Sequence, residues 1–387
     1  MLLNRKAVTY AIPKVLKMTN INVGETSKIN VSEVEGNIDY EGTMKEFGIE
    51  KIDKELKKLK ELPLMYRRGL VIGHRDFDKI ADAIINRKEF AVLTGANPSG
   101  SLHLGNKMFL DQALFLQKCG AHVYIPISND ETYVFKKSAT IEQTLQNAYE
   151  KVIPDIIACG FDPKKTHIFV STRTQKLYEL AVKISTKTTF STIKAIFGFT
   201  NETNPGQIFY AVMQSAHILF PQLLEFGGPK PVVVPIGVDQ DPYMRLVRDI
   251  AEKVDMVKPS STYHKFMPGL QGGKMSGSRP ETCIYMIEEP GAARKKIMKA
   301  FSGGATSLKE HKEKGGNPDV DIACQYLYYM FEEDDSKIKE IFADYRSGKL
   351  YSNDVKTMLA DKVEKFLVDF QKRREKAKDQ MDKFMIK

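Results

Sequence analysis

The chain has 387 residues, 42% of them apolar and 28% charged, with a formal net charge of +9. Such a length favours two or three domains, and no apolar run approaches the roughly 18–20 residues of a membrane span, which excludes a helical membrane protein. The four cysteines, Cys119, Cys159, Cys283 and Cys324, form no C-x-x-C pair, which argues against zinc and for reduced, mostly buried thiols in a cytoplasmic protein.

The positive excess suits a polyanion such as nucleic acid or a nucleotide, although many basic proteins bind neither. The N-terminal stretch lacks a continuous apolar segment followed by a small-residue cleavage site, so no secretory signal is expected. Residues 1–37 mix turn formers with short β-branched runs and read either as a small sheet or as a loose extension. Residues 43–61 read as a helix whose lysine-rich face is solvated rather than a nucleic-acid patch.

From residue 90 the pattern changes. FAVLTG reads as a buried strand, followed by a helix from about 104 to Cys119 that Gly120 stops. HVYIPIS (122–128) is the next strand. Thr140 and Gln143 form a capping box for a helix that ends at Gly160 and that Pro154 should kink. THIFVST (166–172) and PVVVPIG (231–237) are further strands, and DPYMRLVRDIAEKV is a helix with Asp241 as N-cap and Pro242 at its first position. Alternating strands and helices imply a mostly parallel sheet covered on both faces, with ligands at the carboxyl ends of the strands. After about 288 the strands stop and the chain reads as helices to its end.

Two stretches carry chemistry. TGANPSGSLHLGN (94–106) places Gly95 and Gly100 in a G-x-x-x-x-G spacing, but Ser101 and Leu102 stand where a P-loop needs Lys and Ser/Thr, and G-x-G-x-x-G is absent. What remains is a strand, a small-residue turn and a helix N-terminus able to face an anion. His103 and Asn106 share one helix face across Gly105, which leaves room for a flat ring. The second stretch, GLQGGKMSGS (269–278), sets one lysine among glycines and serines, a combination suited to a leaving pyrophosphate.

In this order on a parallel α/β pattern, the two stretches resemble the HIGH and KMSKS signatures of class I aminoacyl-tRNA synthetases. RRGLVIGHRDFDKI, IACGFDPKKTHIF, GVDQDPYMRLVRDIAEK, FSGG and GGNPDVD look like tryptophanyl-tRNA synthetases of the eukaryotic and archaeal kind. The similarity runs from about Ile38 to the C-terminus. It implies an α/β, Rossmann-like parallel-sheet catalytic domain (86–288) after a partly helical N-terminal extension (1–85). A C-terminal all-helical anticodon-binding domain (289–376) would follow, with 377–387 packing back on the catalytic domain.

The resemblance also implies roles. His103, Asn106 and Lys274 would be catalytic. Ser99, Gly105, Gly237, Asp239, Ser276 and Ser278 would hold ATP. Thr94, Gly95, Glu131, Gln214 and Gln240 would hold the amino acid. ATP with Mg²⁺ would be a substrate, with no tightly bound cofactor and no protein metal site. Tryptophan and tRNA(Trp) would be the other partners, acted on by a cytoplasmic homodimer with no membrane contact.

Asn106 replaces the second His of HIGH, and Gly277 replaces the second Lys of KMSKS. Many eukaryotic members have Tyr and Gln, both touching the indole, where this chain has Leu93 and Pro126, and Arg and Lys where it has Ala96 and Thr132. Neither Leu93 nor Pro126 can accept an indole N–H, while Leu93, Ile125 and Ile127 are expected to form an apolar wall for a broad ring. His217 stands where tyrosyl enzymes usually place an acidic residue. A tyrosine–tRNA ligase and a synthetase-like RNA- or partner-binding protein without ligase activity remain alternatives. Lys372, Arg373, Arg374, Lys376 and Lys378 read equally as a tRNA contact and as a solvated helix face.

Overall fold

The computed structural model describes residues 39–386 except Lys137, Lys274, Ser276 and Ser278. The expectation for residues 1–37 and the roles given to Lys274, Ser276 and Ser278 lie outside the described residues. Among the described residues seven strands form one sheet: β1 (Glu50–Lys51), β2 (Val71–Arg75), β3 (Ala91–Leu93), β4 (His122–Ile127), β5 (Thr166–Val170), β6 (Val232–Gly237) and β7 (Ser260–His264). The order is β1-β2-β7-β6-β3-β4-β5. Strands β7, β6, β3, β4 and β5 run parallel, while β2 pairs antiparallel with β7 and β1 antiparallel with β2.

The chain leaves β3 for β4 on one side and later returns to β6 on the other side of β3. This reversal is a topological switch point, where an open α/β sheet forms its ligand crevice. The register shows the crevice opening: Ala91 pairs with Val232 and Val92 with Val233, and the pairing stops there. Pro235 lies beyond the last paired residue, where β3 no longer needs a backbone donor from β6.

Alternation along each strand sends side chains to two cores. Val92, Val123, Ile125, Ile127 and Val233 pack toward the helices Leu104–Lys118, Ile153–Ala158 and Ser352–Lys378. Leu93, Tyr124, Phe169, Val232 and Val234 pack toward the helices Gln175–Ser185, Pro205–Leu219 and Asp241–Glu252. The expected wall of Leu93, Ile125 and Ile127 is therefore corrected. Ile125 and Ile127 are fully buried on the opposite face of the sheet from Leu93.

Other expectations change locally. The helix expected over 43–61 is instead a helix Tyr40–Phe47, strand β1 and a single turn Asp53–Leu56. Gly48 ends the first helix at φ 65°, with its N–H on the last carbonyls. Residues 50–75, assigned by sequence to a partly helical extension, thus supply two strands to the sheet. Asp241 does not cap its helix: its side chain is fully buried, 2.7 Å from Arg75 Nε, and accepts from the Tyr263 hydroxyl. The capping box of Thr140 and Gln143 forms. Before Pro154 the helix opens into a π turn, Ala148–Val152. The carbonyl of Glu150, which an α-helical N–H at 154 would serve, accepts from Arg374 instead at 2.7 Å.

Helix Ser352–Lys378 packs on Pro290–Met298 and on Ile153–Ala158. Beyond it, Ile168 N–H donates to Phe384 O at 2.7 Å and Ile386 N–H to Ile168 O at 2.9 Å, so the chain end extends the sheet past β5. Two members of the expected basic cluster are used internally. Arg374 pairs with the buried Asp155 at 2.5 Å, and Arg373 donates to Ala158 O at 2.9 Å. Burial pushes the Asp155 carboxyl up to about 6 against the pull of that arginine. Lys372 and Lys376 are exposed.

Candidate active site

A cavity of about 1000 Å³ opens at the carboxyl ends of β3 and β6. The turn after β3 brings Thr94, Gly95 and Ser99 to it, and the helix start brings His103 and Asn106. Helix Asn129–Phe135 contributes Glu131, helix Pro205–Leu219 contributes Gln214, and the turn after β6 contributes Gly237, Asp239 and Gln240. Gly105 does not line the cavity. Its N–H points at Met275 Sδ, 3.2 Å away, and a Cβ there would meet the His103 ring at 3.0 Å.

That contact joins the two signature stretches. His103 bridges Tyr285, Leu104 N–H donates to Ile284 O at 3.0 Å, and Met286 N–H donates to Leu102 O at 2.9 Å. The Tyr285 hydroxyl donates to Gly277 O at 3.1 Å. Met275 and Gly277, either side of Ser276, are thereby held against the start of the Leu104–Lys118 helix. Asn106 Oδ1 accepts from His103 N–H at 3.0 Å, which caps the helix and leaves the Asn106 amide NH₂ for the cavity.

Gly237 is spatially demanded, and Gly95 is closely packed. A Cβ on Gly95 would lie 3.2 Å from Pro126 Cγ. One on Gly237 would lie 2.5 Å from both Asp239 Oδ1 and Phe266 Cε1. Backbone therefore forms these parts of the floor.

Electrostatics divide the cavity. Burial pushes the Glu131 carboxyl up to about 7, although the Tyr210 hydroxyl donates to its Oε2 at 2.5 Å. Such a carboxyl gains from a substrate ammonium. Burial pushes the His103 imidazole down to about 4, so it is neutral near pH 7, and its Nδ1 is buried without a hydrogen-bond partner among the described residues. His217, 3% exposed, lies with Leu93, Pro126, Ile218 and Val234 at the apolar end, its Nε2 2.8 Å from Ser171 Oγ.

Sequence reasoning missed Tyr210, Tyr243 and Lys151, all of which line the cavity. Tyr210 precedes Gln214 by one helical turn, and that spacing was the available signal. Tyr243 lies inside the quoted DPYMR run. Lys151 comes from the π turn before Pro154, a distortion that leaves no apolar-periodic signature.

A family model described as tRNA synthetases class I (W and Y) matches residues 86–368. The tryptophan–tRNA ligase of Methanocaldococcus jannaschii is 44% identical over 347 residues, covering 88% of this chain and 94% of the relative. That of Pyrococcus abyssi is 40% identical over 370 residues, covering 93% and 94%. The crystal structure of tryptophanyl-tRNA synthetase from Aeropyrum pernix superposes with a TM-score of 0.84 at 37% identity, covering 90% of this chain and 96% of that one. With two signature loops in contact over the crevice of a parallel sheet, and with these relatives along nearly its whole length, the chain belongs to the class I tRNA synthetases of the tryptophan and tyrosine group.

Proposed function

We propose that this chain is a tryptophan–tRNA ligase, which adenylates tryptophan with ATP and transfers it to tRNA(Trp). The observation that carries the reading is the contact of the 94–106 and 269–278 stretches above the switch-point crevice. The relatives named above supply the amino acid.

The tryptophan carboxylate attacks the α-phosphorus of ATP and pyrophosphate leaves. A ribose hydroxyl of the terminal tRNA adenosine then takes the aminoacyl group and AMP leaves. No protein nucleophile is required, so catalysis is positioning and stabilisation of phosphate charge. His103 as a neutral imidazole still donates one N–H, and the Asn106 amide donates beside it. Gly237 and Asp239 receive the ribose, and Ser99 the nucleotide. Glu131, Gln214 and Gln240 hold the polar end of tryptophan, with Thr94 and Gly95 backing it. Lys274, Ser276 and Ser278 take the β- and γ-phosphates, and Mg²⁺ arrives with ATP as part of that substrate. Lys151 lines the same cavity, and Lys136 donates to the carbonyl of its lining residue Ser99 at 3.2 Å.

The domain reading is 86–288 for catalysis and 289–376 for the anticodon, with Lys372 and Lys376 on the tRNA side. The working form is a cytoplasmic homodimer. Tyr178 and Val182, one turn apart on one helix and 57% and 45% exposed, support a subunit contact. No helix among the described residues is long and apolar enough to cross a membrane. Aminoacylation of tRNA with labelled amino acids tests the reading: tryptophan is charged onto tRNA(Trp), and charging of tyrosine instead, or of nothing, contradicts it.

A further inference from the structure

The apolar end of the cavity poses a recognition problem. Leu93, Pro126, Ile218, Val234 and Met244 offer no side-chain acceptor. A ring N–H buried among them and left unpaired forfeits roughly 10- to 100-fold in affinity.

His217 is the group whose geometry answers it. It projects from helix Pro205–Leu219 into the same cavity and is 3% exposed. Its Nε2 lies 2.8 Å from Ser171 Oγ, and Ser171 Oγ lies 3.2 Å from Ile127 O. A hydroxyl carries one proton. Placed on the Ile127 carbonyl, that proton leaves Ser171 Oγ as an acceptor, so His217 Nε2 must carry the imidazole proton. Nδ1 is then a bare lone pair, and it has no hydrogen-bond partner among the described residues. Burial lowers the imidazole's proton affinity against the pull of Asp130, which favours the neutral ring this arrangement needs.

We propose that His217 Nδ1 accepts the ring N–H of the amino-acid substrate, with the Ser171–Ile127 hydrogen-bond chain fixing the tautomer that makes it an acceptor. The assignment rests on the reading of the cavity as a tryptophan site and names the polar contact by which that ring is selected. Tyr243 also brings a hydroxyl to the cavity, and the test separates the two.

The test compares tryptophan with β-(3-benzothienyl)alanine, in which sulfur replaces the ring NH, in amino-acid-dependent pyrophosphate exchange by the full-length protein. The native protein favours tryptophan by roughly 10- to 100-fold in kcat/KM. His217→Leu brings that preference to within about threefold by lowering tryptophan turnover and sparing the isostere. Ser171→Ala, which frees the tautomer, lowers the preference in the same direction and by less. The assignment is overturned if the native protein uses both amino acids equally, an outcome that needs no variant to fold. Equal loss of both substrates in His217→Leu, or loss of the preference in Tyr243→Phe instead, also overturns it. A native protein that gives no exchange with tryptophan contradicts the functional reading and the assignment together, whereas exchange without preference contradicts the assignment alone.

Discussion

Asp321 and Lys356 of the helical region are arranged differently from the buried polar groups of the cavity. In the helical region Asp321, fully buried, accepts from Gly303 N–H at 2.9 Å, Cys324 N–H at 3.0 Å and the Tyr345 hydroxyl at 2.8 Å. Lys356, 9% exposed, donates to Met298 O at 3.2 Å and Ala300 O at 2.6 Å, closing the end of the Pro290–Met298 helix. Both charges are met from within the chain. In the cavity Glu131 is pushed up to about 7 by burial, and His103 Nδ1 and His217 Nδ1 have no hydrogen-bond partner among the described residues. Polar satisfaction inside the chain serves stability, and its local absence at the cavity leaves groups to be satisfied by a ligand. The glycines differ as well: in the helical region Gly303 and Gly315 make room for backbone and Gly304 and Gly316 for the side chains of His311 and Tyr345, whereas Gly95 and Gly237 shape the cavity floor.

The contrast is broken most severely at Gly315. Its φ is 73° and a Cβ there would lie 1.8 Å from Arg346 O. Gly315→Ala should cost at least ~3 kcal/mol of stability, read by chemical denaturation, and any loss of activity should follow the loss of folded protein. A variant as stable as the native chain would show that the helical region is not the tightly determined part.

His103→Ala should do the reverse. Pyrophosphate exchange should fall by roughly 10- to 1000-fold while Tm moves by no more than about 2 °C. Unchanged exchange would remove His103 from the chemistry, and a large Tm loss would make it a packing residue.

Glu131 gives a subtler separation. Its folded pKa, about 7, is raised above the ordinary carboxyl value, chiefly by burial. Ionisation therefore costs stability as pH rises through that value, and a substrate ammonium recovers the cost. Tryptophan binding should strengthen as pH rises from 6 to 8, with proton release measurable by calorimetry in buffers of different ionisation enthalpy. Glu131→Gln should flatten that dependence; a native profile already flat over this range would place the pKa elsewhere.

How much of this was legible depended on whether the cause was local. The parallel strands β3, β4, β5 and β6 were readable because burial on both faces makes each an apolar run. Strand β7, SSTYH, was not, because its buried polar side chains find partners far along the chain. Ser260 bonds Asp76 O, Thr262 bonds Gln112, and His264 meets the same glutamine. Asp241 was misread as a cap for the same reason, since its partner Arg75 lies on β2. The placement of His103 and Asn106 beside the cavity was legible because strand, turn and helix start are contiguous. Which face of β4 borders the cavity was not: a period of two assigns alternate residues to opposite faces without saying which face holds the ligand. Ile125 and Ile127 went to the wrong side for that reason, and Pro126 to the right one.

The most direct test of the account is amino-acid-dependent ATP–pyrophosphate exchange by the native protein with all twenty amino acids, measured one at a time. The account predicts exchange with tryptophan well above every other amino acid. Preference for tyrosine or any other amino acid would contradict the substrate, and no exchange with any of the twenty would contradict the reading of this cavity as an adenylate-forming site.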